Sequence, residues 1–192
     1  MMAGSSHRAE HICFILKKAA VHNNHSFSKQ DTAAMVTVEV QPPSQVQAGA
    51  VLYPPLVVSS DSEAAYDFVQ VVLLDPYGRV VEDQLYGTLS MSSQALTDRS
   101  ASRSNNSLEY AVFPDLVLSY AGSYTLRVNA IQMDYSSFEG PQAIIAASTT
   151  SREIIAYDQS VAADVPSADE QSLLRRLRRH GGFGVPRSPH HR

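Results

Sequence analysis

The 192-residue sequence contains one cysteine and no tryptophan. A single thiol, Cys13, excludes an intramolecular disulfide and a multi-cysteine zinc site, and it fits a reducing compartment. No apolar run approaches the ~20 residues a transmembrane helix needs. Ile12–Leu16 is too short for a signal-peptide core and is followed rather than preceded by Lys17-Lys18. A soluble, intracellular protein without a membrane partner is expected. All seven histidines lie near the ends, at positions 7, 11, 22, 25, 180, 190 and 191, so Ser-His, Cys-His and His-metal chemistry is absent from the middle of the chain. His7, His11, His22 and His25 beside Cys13 match no zinc spacing. No Gly-rich phosphate loop follows a strand pattern, and Glu82-Asp83, the nearest carboxylate pair, reads as two solvated acids. The expectation is no enzyme, no cofactor and no metal.

What is present is enough for one folded domain: 44% of residues are hydrophobic, while ten prolines and nine glycines announce many turns. The net charge of −4 is unevenly placed. Residues 1–170 hold nine Lys/Arg against nineteen Asp/Glu, or −10, and residues 171–192 hold six Arg and no acid, or +6. A basic end of this kind meets nucleic acid, an acidic partner, or only water.

Residues 1–34 show no sustained period and read as a disordered arm. From Met35 the pattern turns to period two, with Val36, Val38 and Val40 alternating with Thr37, Glu39 and Gln41 until Pro42-Pro43. Leu56-Val57-Val58 follows the Tyr53-Pro54-Pro55 interruption. Phe68–Leu74 is a strand closed by Asp75-Pro76-Tyr77-Gly78, a type I turn preference, and Arg79-Val80-Val81 runs back as a hairpin. Gln84–Met91 reads as one strand, in which Gly87 marks a bulge or a close backbone approach. Thr97–Ser107 is a polar loop carrying Arg99 and Arg103. Tyr110–Phe113 and Leu116–Tyr120 are short apolar runs. After a turn at Ala121-Gly122, with Gly122 able to take positive φ, Tyr124, Leu126, Val128 and Ala130 alternate with polar residues. Asp134–Ala147 has no clear pattern apart from the Gly140-Pro141 breaker, and Ser151–Tyr157 is a last strand. Seven to nine short strands before any helix predict an antiparallel β-sandwich or barrel.

The one helix is expected at 167–180. Ser167 and Glu170 form a capping box, Leu173, Leu174 and Leu177 make an apolar stripe that docks on the sandwich or else pairs with another chain, and Gly181 closes the helix. Arg175, Arg176, Arg178 and Arg179 occupy its other faces. Residues 181–192 are expected as a flexible basic tail, outside a domain spanning 35–180.

The order of these pieces resembles the velvet domain proteins of fungi. The matching residues are 38–43 and 45–49 (VEVQPP, QVQAG), 52–58 (LYPPLVV), 85–89 (LYGTL), 110–116 (YAVFPDL), 122–128 (GSYTLRV), and Pro166-Ser167 with 173–178 (LLRRLR). Within them Tyr53, Pro54, Pro55, Phe113, Pro114, Asp115, Gly122, Tyr124 and Arg127 carry the motif. The resemblance implies an immunoglobulin-like β-sandwich similar to the Rel/NF-κB DNA-binding domain. It also implies homo- or heterodimers with other velvet proteins and nuclear work, with shuttling to the cytoplasm, in development, sporulation and secondary metabolism. Members of the family carry a basic stretch ahead of the Pro-Pro pair as their main DNA contact; here Gln45–Leu52 has no Lys or Arg. The basic residues left for double-stranded DNA are Arg99, Arg103, Arg175, Arg176, Arg178 and Arg179. The other expectation is a dimerisation module of the same fold that leaves DNA to its partner.

Overall fold

The computed structural model describes residues 36–64, 66–96, 108–138 and 140–187. Arg99 and Arg103, and the arm at 1–34, lie outside the described residues. Among the described residues twelve strands precede one α-helix: β1 (Val36–Val40), β2 (Gln45–Gln47), β3 (Leu56–Asp61), β4 (Phe68–Leu74), β5 (Leu85–Tyr86), β6 (Ser90–Met91), β7 (Gln94–Ala95), β8 (Leu108–Phe113), β9 (Val117–Leu118), β10 (Gly122–Asp134), β11 (Gln142–Thr150), β12 (Ile154–Tyr157) and α1 (Ala168–His180). One sheet runs β1-β3-β8-β7. The second runs β2-β12-β10-β4-β6 with β11 also on β10, and β5-β9 is a small ribbon. Named pairings are antiparallel except β2 with β12, which is parallel.

The two large sheets enclose one core. Leu56, Val58, Ala111 and Phe113 from the first meet Val69, Val71, Leu73, Leu126, Val128, Ala130 and Ile154 from the second, so alternation places every second residue inside. The architecture is a mostly antiparallel, sandwich-like all-β fold with a C-terminal helix. Strand β10, at 13 residues the longest, organises the second sheet: β4 pairs along one side, while β12 and β11 share the other. The patternless stretch after Asp134 is therefore half of a β10–β11 hairpin. It showed no period because β11 is an edge strand, exposed or half-buried throughout.

A second core lies behind the first sheet. Val40, Val57, Tyr110 and Val112 on its outer face pack with Leu174, Leu177 and Phe183, so the helix does dock on the sandwich. Strict alternation would keep Val40 with Val36 and Val38. A register shift between Val38 and Val40 turns Val40 to the helix side, opposite Val57. Nor does the chain leave the domain at Gly181, where a tail was expected to begin. Phe183 is 5% exposed in this second core, Val185 packs against it, and Arg178 Nη2 donates to Pro186 O at 2.5 Å.

Two glycines show how loops are locked. Gly87 has φ +107, and a Cβ there would stand 2.3 Å from the backbone oxygen of Asp115. The expected single strand 84–91 is broken at this point into β5 and β6. Asp115 in turn accepts from Thr88 N at 2.8 Å and Thr88 Oγ1 at 3.1 Å, so loop 86–89 is clipped to the start of β9. Gly122 has φ 159°, extended backbone rather than a left-handed turn. Its missing side chain is explained by the Tyr124 ring, whose Cζ would lie 2.8 Å from a Cβ, and the Tyr124 hydroxyl donates to Gln84 Oε1 at 2.9 Å.

The hairpin turn after β4 follows its sequence signal. Gly78 N bonds Asp75 O at 2.9 Å, Gly78 has φ +76, and the Asp75 carboxylate accepts from Tyr77 N, Arg79 N and Arg79 Nε. Those bonds hold the Asp75 carboxyl below its ordinary value against the opposing effect of desolvation.

Gly87→Ala is expected to lower stability by about 3 kcal/mol, from left-handed strain plus a backbone clash. Gly49→Ala, at φ +82 with nothing within 4 Å, is expected to cost only about 1–2 kcal/mol. Urea unfolding of the two variants measures the difference.

Candidate nucleic-acid interface

The helix owes its place to its first turn. Ser167 Oγ accepts from Glu170 N at 3.2 Å and Glu170 Oε2 accepts from Ser167 N at 2.7 Å, the capping box expected from the sequence. Glu170 does more than cap: its Oε1 accepts from Gln41 N at 2.9 Å, tying the helix to the residue that ends β1. Gln41 Oε1 accepts from Arg152 N, Arg152 Nε donates to Pro42 O, and Arg152 Nη2 pairs with Asp164 Oδ2 at 2.7 Å. Asp164 Oδ2 also accepts from Ser44 N at 2.7 Å. Arg152 and Asp164 thus close the approach to the helix around the Pro42-Pro43 corner. At the far end Gly181 adopts φ +71 and its N–H reaches Arg178 O, the left-handed cap expected there.

These contacts set which arginines face outward. Leu174 and Leu177 are buried, and Arg175, Arg176 and Arg179 are exposed on the opposite side. Among the described residues neither Arg175 nor Arg179 has a hydrogen bond or ion pair. Arg176 is engaged as well as exposed. Burial raises the Tyr110 hydroxyl pKa, the Glu39 carboxylate adds to this, and Arg176 opposes both. Arg178 is half-buried, bonded to Pro186 O, with Nε enclosed and without a partner. It braces the returning segment and is not part of the outward face. Of the four expected arginines that lie in the described residues, Arg175, Arg176 and Arg179 stand on the outward face of the helix.

The motif residues named in the sequence analysis serve the fold. Pro54 and Pro55 are buried after a cis Tyr53–Pro54 bond, Phe113 is core, and Asp115, Gly122 and Tyr124 hold the loops described above. Pro114 connects β8 to that loop. Arg127 lies on the outer face of the second sheet, with Nε buried and unpartnered. Its strand neighbour on that face, Asn129, is 1% exposed, and both amide atoms lack partners. Among the described residues no cluster of His, Cys, Asp or Glu could hold a metal.

The residues that position the helix, Gln41, Arg152, Asp164 and Glu170, were not singled out as a group by sequence reading. Only Glu170 carried a local signal, the capping box. The partners of Arg152 on the β1 side lie 110 residues away, beyond any periodicity. No protein-family model matches the chain, and no curated protein matches it.

Glu170 and Asp164 couple this arrangement to pH. Desolvation would raise Glu170, but bonds from Gln41 and Ser167 outweigh it and hold the carboxyl below its ordinary 4.5. Asp164 is held below 3.8 chiefly by the Ser44 N–H, against desolvation, with Arg152 adding to the effect. Depressed carboxylates stabilise fully above their unfolded values and lose that contribution as pH falls through the folded ones. Helix docking should therefore weaken below pH 4.5, and Glu170→Ala should cost about 1–2 kcal/mol at neutral pH and flatten this acid limb in urea titrations. Asn129→Leu, which removes two unpaired buried atoms, should raise stability by about 1–2 kcal/mol.

Proposed function

We propose that this chain is a velvet-type transcriptional regulator of fungal development and secondary metabolism. In this reading it works in the nucleus, binds double-stranded DNA without a cofactor, and pairs with itself or other velvet-type proteins through an immunoglobulin-like, Rel-type sandwich. The observation that carries the DNA-binding part is the outward face formed by Arg175, Arg176 and Arg179 on a helix fixed at both ends. Arg175 and Arg179 carry no competing hydrogen bond or ion pair among the described residues, and guanidinium groups suit phosphate oxygens. The motif order and the two-sheet architecture support the family reading.

A second reading is favoured by β2 and the turn after it. Gln45–Leu52 holds no cation, and its backbone is committed to Tyr157, Leu118 and Leu116. In this reading the sandwich dimerises and the partner reads DNA.

Binding of labelled duplex to the full chain across a salt series separates the two. The first reading predicts that affinity falls with salt and that the Arg175→Gln, Arg176→Gln, Arg179→Gln triple variant loses about one unit of log–log salt slope per phosphate contact removed. Arg178→Gln is expected to shift stability rather than that slope. No binding by the full chain at low salt, with binding restored only by a velvet-type partner, selects the second reading.

A further inference from the structure

The end of the sandwich built from residues 48–51, 82–86, 117–120 and 157–158 is held together by backbone bonds. Ala48 N reaches Tyr157 O, Gly49 N reaches Leu118 O and Ser119 N reaches Gln84 O. Val117 bridges Val51 on one side and pairs with Tyr86 on the other. Directly opposed antiparallel residues share a face, so Val51, Val117 and Tyr86 form one row. The residues that alternate with them, Leu52, Leu85 and Leu118, are buried, which turns the row outward. Val51 and Tyr86 are each 53% exposed, with Tyr120 exposed just beyond β9 and Tyr157 at the neighbouring strand end.

The rim of this apolar row is acidic. Glu82, Asp83 and Asp158 are exposed, and the Tyr86 hydroxyl donates to Asp83 O at 3.1 Å. Asp83 itself holds φ +56, a left-handed conformation uncommon outside glycine. No Lys or Arg occurs in residues 36–78, 80–96, 108–126 or 153–174. Arg79 is engaged by Asp75, and Arg152 by Asp164. The acids of this end therefore have no basic neighbour in their own segments.

An exposed tyrosine and aliphatic surface ringed by carboxylates suits guanidinium groups, which stack on aromatic faces and pair with carboxylates at once. The chain carries its own complement in the outward Arg175, Arg176 and Arg179. We infer that the Val51–Val117–Tyr86 end of one molecule docks the arginine face of α1 from a second copy, in a head-to-tail contact. Two different patches meet, so the contact is heterologous, and each added molecule offers the same pair of ends. It also covers the arginine face, and it stands whether or not that face binds DNA.

Sedimentation velocity of the full chain tests this. The mass should grow with concentration at ~50 mM salt and return to monomer at ~500 mM, where the screening length falls well below a side chain's reach. Val51→Lys with Glu82→Lys should abolish the growth, as should Arg175→Glu with Arg179→Glu. Mixing these two double variants should restore a 1:1 pair, because each retains the patch the other has lost. Urea midpoints matching wild type confirm that both variants are folded. A monomer at every concentration and salt overturns the inference, as does growth that survives either variant or a mixture that stays monomeric.

Discussion

The first sheet is buried on both faces, and the rest of the molecule follows from that. In β3, Leu56 and Val58 point into the core between the sheets while Val57 points to the helix. In β8, Ala111 and Phe113 point one way and Tyr110 and Val112 the other. A sheet with two apolar faces must be covered twice. The second sheet covers one side. Leu174, Leu177 and Phe183 cover the other, so α1 and the segment after it are part of the fold and not an appendage. Removing that cover would expose Val40, Val57 and Val112 together on the outer face of the sheet.

Apolar burial sets the depth of the helix on the sheet but not its orientation, since the hydrophobic effect has no direction. Orientation comes from the Glu170 carboxylate, which serves the cap and the Gln41 N–H at once, and from the Arg152–Asp164 pair around Pro42. Hydrogen bonds to a charged acceptor are roughly twice as strong as neutral ones. This one is half-shielded from water, where that advantage persists. The acid that caps the helix therefore also fixes the rotation of the arginine face, by contacts that join the end of β1, Arg152 in the β11–β12 turn and Asp164 to α1.

How much of this was legible in the sequence follows from the range of the interactions. The capping box, the left-handed Gly181, the Asp75–Gly78 turn and the alternation in β10 are local, set by residues within a few positions of one another, and all could be read directly. Gly87 signals a bulge or a close backbone approach, and the structure shows the second, against Asp115, 28 positions on. What stayed hidden was long-range or two-faced. The bulge that turns Val40 toward the helix leaves no mark in the Val-x-Val-x-Val pattern. Strand β11 alternates weakly because neither of its faces is sealed. Phe183 follows a glycine pair that reads as a chain leaving the domain, and only the uncovered outer face of β3 and β8 explains why it returns. In the candidate site the arginines were visible as a charge run. That Pro186 holds Arg178 away from the outward face is not deducible from spacing.

The distribution of cations gives this fold a polarity. Of the eight arginines in the described residues, Arg79 and Arg152 are paired with acids and Arg127 lies on the outer face of the second sheet with its Nε enclosed. The other five lie between positions 175 and 187 on the helix and its return. The body, at −10 over residues 1–170, repels a polyanion, and the helix face attracts it. On the proposed DNA-binding reading, the duplex would be met in one orientation, because the acidic body and the basic helix face differ in sign over distances comparable to the screening length. Three exposed guanidinium groups release few counterions. On that reading their placement contributes more to how the protein presents itself than to how tightly it holds.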